Sequence, residues 1–110
     1  MEHSYATNSA VPVERSKGQI RGYLAQAGAD GFGDVEQGRR VALAFVIEGH
    51  QYRISFELPD INAPKFSKTP TGRMRSTRDS IRLHDQAIRS YWRTILMAIK
   101  GQCEMIAIGE

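Results

Sequence analysis

The sequence predicts an α+β fold: a single α-β-β-β-α domain, in which a three-stranded antiparallel meander carries a long C-terminal helix packed on one face. Three observations predict it. Residues 40–58 hold two apolar runs of period two, split by Gly49-His50. Residues 77–106 repeat apolar side chains at helical spacing, and residues 16–27 do so over a shorter span. At 110 residues the chain suffices for one core and not for two.

Residues 1–13 read as a polar tail (His3, Ser4, Thr7, Asn8, Ser9), without the cationic start and apolar run of a signal peptide. Residues 14–110 form the domain. Its first helix is expected to begin near Ser16, with Gln19 three residues on in the reciprocal capping spacing. Ile20, Tyr23, Leu24 and Ala27 share one face, and Gly28 stands where a left-handed C′ residue ends a helix.

Residues 32–36 make a short strand, and Gln37-Gly38 a turn. In residues 40–48, Val41, Leu43, Phe45 and Ile47 lie on one side and Ala42, Ala44 and Val46 on the other. Apolar character on both sides marks the central strand, covered on each face or partly so. After the Gly49-His50 reversal, Tyr52, Ile54, Phe56 and Leu58 point inward while Gln51, Arg53, Ser55 and Glu57 point outward. Pro59 stops this strand, since proline donates nothing to a ladder.

Residues 59–76, with Pro59, Pro64, Pro70 and Gly72, read as a loop longer than most connections, a class often functional or disordered. The last helix starts near Thr77, where Ser76 and Asp79 stand at capping spacing. Its core stripe runs Ile81, His84, Ile88, Tyr91, Trp92, Ile95, Ile99, Gln102 and Ile106, with Gly101 as a possible kink or end.

The composition, 41% hydrophobic and 25% charged, is ordinary for a folded domain. Cys103 is the only cysteine, which excludes an intramolecular disulfide and a thiolate metal cluster and fits a reducing cytoplasm. No run approaches the roughly 18 apolar residues of a membrane span. The expectation is a cytoplasmic protein with no membrane contact.

Charge is where the sequence becomes specific. Residues 65–100 hold nine cations, Lys65, Lys68, Arg73, Arg75, Arg78, Arg82, Arg89, Arg93 and Lys100, against Asp79 and Asp85. That segment is therefore +7 in a chain whose total is +3, so the rest sums to −4. At 100° per residue, Arg78, Arg82, Arg89, Arg93 and Lys100 fall within roughly 60° of one another, beside the apolar stripe. With the loop at the helix N-terminus they form a candidate track for nucleic acid or an acidic protein surface. The plainer reading is a solvated helix face: Asp85 lies on the same ribbon, spaced to pair with Arg82 and Arg89, and arginine stems cover apolar flanks.

A second feature is the far end of that helix. Leu96, Met97, Met105 and Ile108 lie off the core stripe, so residues 95–108 are apolar nearly all round. This marks a candidate homodimer or partner contact, unless the first helix and the tail cover it.

Signs of catalysis are weak. His3, His50 and His84 are scattered, and His84 on the core side reads as a satisfied structural histidine. Asp34 with Glu36, and Glu57 with Asp60, are carboxylates near strand ends that a Mg²⁺ nuclease would use, but no lysine or histidine is set among them. Gly28, Gly31 and Gly33 flank a strand and precede no helix, so they are not a phosphate loop. A non-enzymatic protein without cofactor or metal is expected.

The run VPVERSKGQIRGYLAQAGADGFG, the following GRRVALAFVIEGHQYRISFELP, the loop text TPTGR and the helix text RSYWRTILMAIK resemble a family of small uncharacterised proteins of phages and bacterial mobile elements. The resemblance covers most of residues 11–104. It implies a phage-like context in the host cytosol and no established activity or site residues. Double-stranded-RNA-binding domains share the order α-β-β-β-α, but the Gln37-Gly38 turn is too short for their groove-binding loop and the last helix lacks their lysine cluster. Two functions remain in view. One is an accessory protein docking on nucleic acid or a nucleoprotein complex through the Lys65–Arg93 track. The other is an inhibitor of a host defence complex, of anti-CRISPR type, that occludes a protein surface.

Overall fold

A computed structural model describes residues 10–109 and has the predicted architecture. Helix α1 (Val13–Gln26) leads into strands β1 (Ala29–Gln37), β2 (Arg40–Ile47) and β3 (His50–Glu57). A one-turn helix α2 (Pro64–Ser67) interrupts the long connection, and α3 (Thr77–Ile108) completes the chain. The sheet is an antiparallel meander in the order β1-β2-β3. The expected polar tail lies, for its first nine residues, outside the described residues. No described helix is long and apolar enough to cross a membrane.

Both hairpin turns are made by local backbone chemistry. Gly38 (φ 62°) turns β1 into β2, with Gln37 paired to Arg40 across it. Glu48 (φ 52°) and Gly49 (φ 80°) are both left-handed between the paired Ile47 and His50, the backbone of a two-residue turn that matches strand twist. The reversal is thus one residue earlier than expected. Strand β1 is longer than expected, reaching back to Ala29 through an irregularity between Ala29 and Gly31.

Both helices lie on the same face of the sheet. Val41, Leu43, Phe45 and Ile47 of β2 are buried against Ile20 and Leu24 of α1 and Trp92, Ile95, Leu96 and Ile99 of α3. No described helix lies over the other face of β2: Ala44 is exposed, with Ala42 and Val46 half-buried. The expectation of a central strand holds, and of the two degrees of cover it allowed, full or partial, the second face shows the partial one. On β3, Ile54 and Phe56 are half-buried as expected, but Tyr52 remains 41% exposed. Phe56 meets Tyr91 and Trp92 at 5.5 Å between ring centres, whereas Tyr52 stacks on Phe45 at 5.4 Å at the sheet margin.

Three helix details differ from the sequence reading. First, α1 begins at Val13 with Pro12 as its N-cap, and Ser16 is fully buried inside the helix instead of capping it. Val13 packs against the core, and Glu14 sits favourably in the first turn. Gly28 (φ 90°) does end α1 as expected, after the C-cap Ala27. Second, Ile81 is 48% exposed and Gln102 is exposed, so the buried stripe of α3 is confined to Trp92–Ile99. Third, Leu96, expected at a partner contact, is buried, because α1 lies along that flank of α3.

Candidate nucleic-acid interface

The connection between β3 and α3 is a built platform. Phe66, from α2, is buried and meets the His84 ring edge-on at 5.3 Å. The Ser80 hydroxyl donates to the Phe66 carbonyl at 2.9 Å, and His84 Nε2 donates to the Pro59 carbonyl at 2.9 Å. His84 is thus the satisfied structural histidine expected from the sequence.

Beyond Phe66 the chain folds back as a miniature hairpin. Gly72 N–H donates to the Thr69 carbonyl at 2.9 Å, closing a four-residue turn with Pro70 at its second position. Gly72 is left-handed (φ 88°), which a side chain would resist. Thr69 N–H donates to Arg73 O, Arg75 N–H donates to Ser67 O, and Lys68 is bridged to Met74. Thr69 Oγ1 also accepts from Arg73 N–H at 3.1 Å. The Ser76 hydroxyl then caps α3 by accepting from Asp79 N–H at 3.1 Å, as its spacing predicted.

This architecture gathers the first six candidate cations at one end of the molecule. Lys65 stands on α2, Lys68, Arg73 and Arg75 on the hairpin, and Arg78 and Arg82 on the first turns of α3. All but Arg75 are exposed, and Arg75 anchors the hairpin by donating from Nε to the Lys68 carbonyl at 3.2 Å. Arg82 is 3.7 Å from Asp79, not paired with the Asp85 expected from spacing. Among the described residues, Lys65, Lys68, Arg73, Arg75 and Arg78 have no carboxylate within 4 Å. Met74 (72% exposed), Ile81 and Ile61 lie in the same stretches of chain.

The rest of the predicted ribbon does not join them as one open track. Arg93 donates from Nη1 to the Gln19 side chain of α1, and Lys100 lies over the Tyr23 ring of α1 at 5.7 Å. Arg89 is half-buried. The ribbon faces the flank of α3 that α1 occupies, so its C-terminal half serves helix packing.

The carboxylate pair on β1 is also spoken for. Asp34 and Glu36 share the inner face of β1, and Lys17 of α1 stands between them, 2.6 Å from Glu36 and 3.8 Å from Asp34. Arg21 approaches Asp34 at 3.8 Å, and Lys17 also lies 4.8 Å from the centre of the Trp92 ring. A lysine is therefore set among these carboxylates after all, and it clasps α1 to β1. Among the described residues no group of three or more His, Cys, Asp or Glu side chains is placed to hold a metal ion.

Of the four candidate contact residues at the end of α3, Leu96 is buried and Met97 half-buried, while Met105 and Ile108 are 66% and 80% exposed. Beside them runs a feature the sequence did not reveal: an apolar groove of about 470 Å³ between β3 and the second half of α3. Its signal was present in the inward apolar side chains of β3, but their incomplete cover depends on where α3 crosses the sheet. The chain matches no protein-family model, and no curated protein or solved structure is detectably similar to it.

Proposed function

We propose that the protein is a non-enzymatic docking module for nucleic acid, engaging the backbone of a duplex through its basic end. The observation that carries this reading is the exposed cluster Lys65, Lys68, Arg73 and Arg78, held on a hydrogen-bonded scaffold that Arg75 anchors and, among the described residues, without carboxylates within 4 Å. Unpaired, exposed cations on a preformed support meet phosphates with little ordering cost, and the positive end of the α3 dipole adds to their field. Phe66, the aromatic ring within this platform, is buried, so single-strand recognition by base stacking has no surface there. Backbone contact with a duplex needs none.

The test is fluorescence anisotropy with a labelled duplex over a range of salt concentrations. Log K is expected to fall linearly with log salt. Replacing Lys68, Arg73 and Arg78 together by Gln is expected to flatten that slope by about 0.9 for each phosphate no longer neutralised. The same change at Arg93, which serves α1, is expected to leave the slope unaltered. Absence of salt-sensitive binding to duplex or single-stranded DNA or RNA sinks the proposal. A second reading, occlusion of an acidic protein surface as an inhibitor of a host complex would do, is favoured by exposed Met74 and Ile81 near the cations. It requires a nuclease-resistant complex that the same triple substitution abolishes.

A further inference from the structure

We propose that the groove between β3 and α3 seats a second copy of this chain, entered by the partner copy's exposed C-terminal helix end. The groove is walled by Phe45 and Ile54 of the sheet and by Ile95 and Ile99 of α3, with Tyr52 and Cys103 also lining it. Its volume, about 470 Å³, accommodates several aliphatic side chains. Next to it, Met105 and Ile108 project into solvent three residues apart on the last turns of the same helix. An apolar projection and an apolar recess on one helix segment are the two halves of a self-complementary contact. A two-fold axis across α3 near residue 101 brings each projection to the other copy's recess and closes the assembly at two.

Charge favours this occupant. Methionine suits an irregular recess. The charges beside these surfaces are opposite: Arg53 also lines the groove and Glu104 stands on the projecting helix end, and neither has an ion-pair partner within 4 Å among the described residues. The uncovered sheet face is a weaker contender, because Gly33, Ala42 and Ala44 make it shallow and it has no matching projection.

The experiment is analytical ultracentrifugation of the full chain from micromolar to submillimolar concentration, with Cys103 alkylation rates measured on the same samples. A reversible dimer is expected, with Cys103 alkylated several-fold more slowly in it. Ile108→Glu, on the projection, and Tyr52→Lys, on the groove, are each expected to give monomers with unchanged circular dichroism, in which Cys103 is alkylated several-fold faster than in the wild-type dimer. Both positions are exposed in the monomer, so the two variants test the contact from opposite sides without opening the core. A wild-type chain that is monomeric throughout overturns the proposal. So does a dimer in which Cys103 reacts as fast as in the variants, because the interface then lies elsewhere.

Discussion

His84 Nε2 donates a 2.9 Å hydrogen bond to the carbonyl of Pro59, twenty-five residues earlier in the chain. A carbonyl oxygen only accepts, so the contact fixes the proton on Nε2. The bond ties the chain just past β3 to the second turn of α3, and Phe66 packs edge-on against the same imidazole. One side chain therefore holds both the start and the middle of the segment that carries the cations. The loop is a scaffold because α3 reaches back to grip it.

Replacing His84 by Ala removes the tether and the ring that Phe66 packs against. A loss of about 1–2 kcal/mol in unfolding free energy is expected from a part-buried hydrogen bond and its packing. Amide exchange is expected to accelerate across residues 59–76 and to change little in β2. Urea unfolding and hydrogen-exchange mass spectrometry check both. Uniform acceleration over the whole chain argues against a local tether.

Ser16 presents the opposite case, a polar group without a partner among the described residues. It is fully buried in α1, and no described group is within hydrogen-bond reach of its Oγ. Ser16→Ala removes an uncompensated hydroxyl, keeps nearly the same volume and improves helix propensity. The variant is expected to be more stable by about 1 kcal/mol in urea unfolding. A destabilised variant means the hydroxyl has found a partner in solution.

These two residues show where sequence reading succeeds and where it fails. His84, Ser76 and the alternation of β2 and β3 were legible because local spacing decided them: a helix face, a cap, a period of two. Ser16 was misread because its capping-box spacing to Gln19 is a local match that burial between elements overrode. Leu96, Arg93 and Lys100 share one cause. The helical wheel shows which residues flank the apolar stripe of α3, but not which flank α1 occupies. Once α1 lies there, Leu96 becomes core and Arg93 and Lys100 become its neighbours, leaving the Lys65–Arg82 end as the open cationic surface. The groove was illegible for the same reason, since it is the space on the opposite flank.

Cys103 reports on that flank. Partial burial, and secondarily the neighbouring Glu104 carboxylate, push its thiol above the ordinary cysteine value. Because the thiolate is the reactive form, alkylation by iodoacetamide is expected to be slow at neutral pH and to rise with a midpoint above that of a free thiol. Glu104→Gln is expected to lower the midpoint only in part, since burial remains. The sign for stability follows from the same shift. The raised value means that stability is complete below the unfolded-state pKa and is lost as pH rises through the folded one. A midpoint at or below that of a free thiol contradicts the burial of this side chain.

The two proposals combine into a geometric expectation. If the two-fold axis crosses α3 near residue 101, each basic end lies some 24 residues away along the helix, or about 36 Å at 1.5 Å per residue. Antiparallel pairing then sets the two cationic platforms about 70 Å apart, the length of roughly 20 base pairs. A duplex of 12 base pairs engages one platform, whereas one of 30 is long enough for both and gains from the high effective concentration of the second contact. Affinity is therefore expected to rise by more than tenfold between these lengths, beyond what the added number of sites gives. Ile108→Glu is expected to remove this length dependence while leaving the salt slope on the short duplex intact. A titration across duplex lengths separates the premises. Equal gain in wild type and variant sinks the paired arrangement alone, and absence of binding at every length sinks the nucleic-acid reading alone.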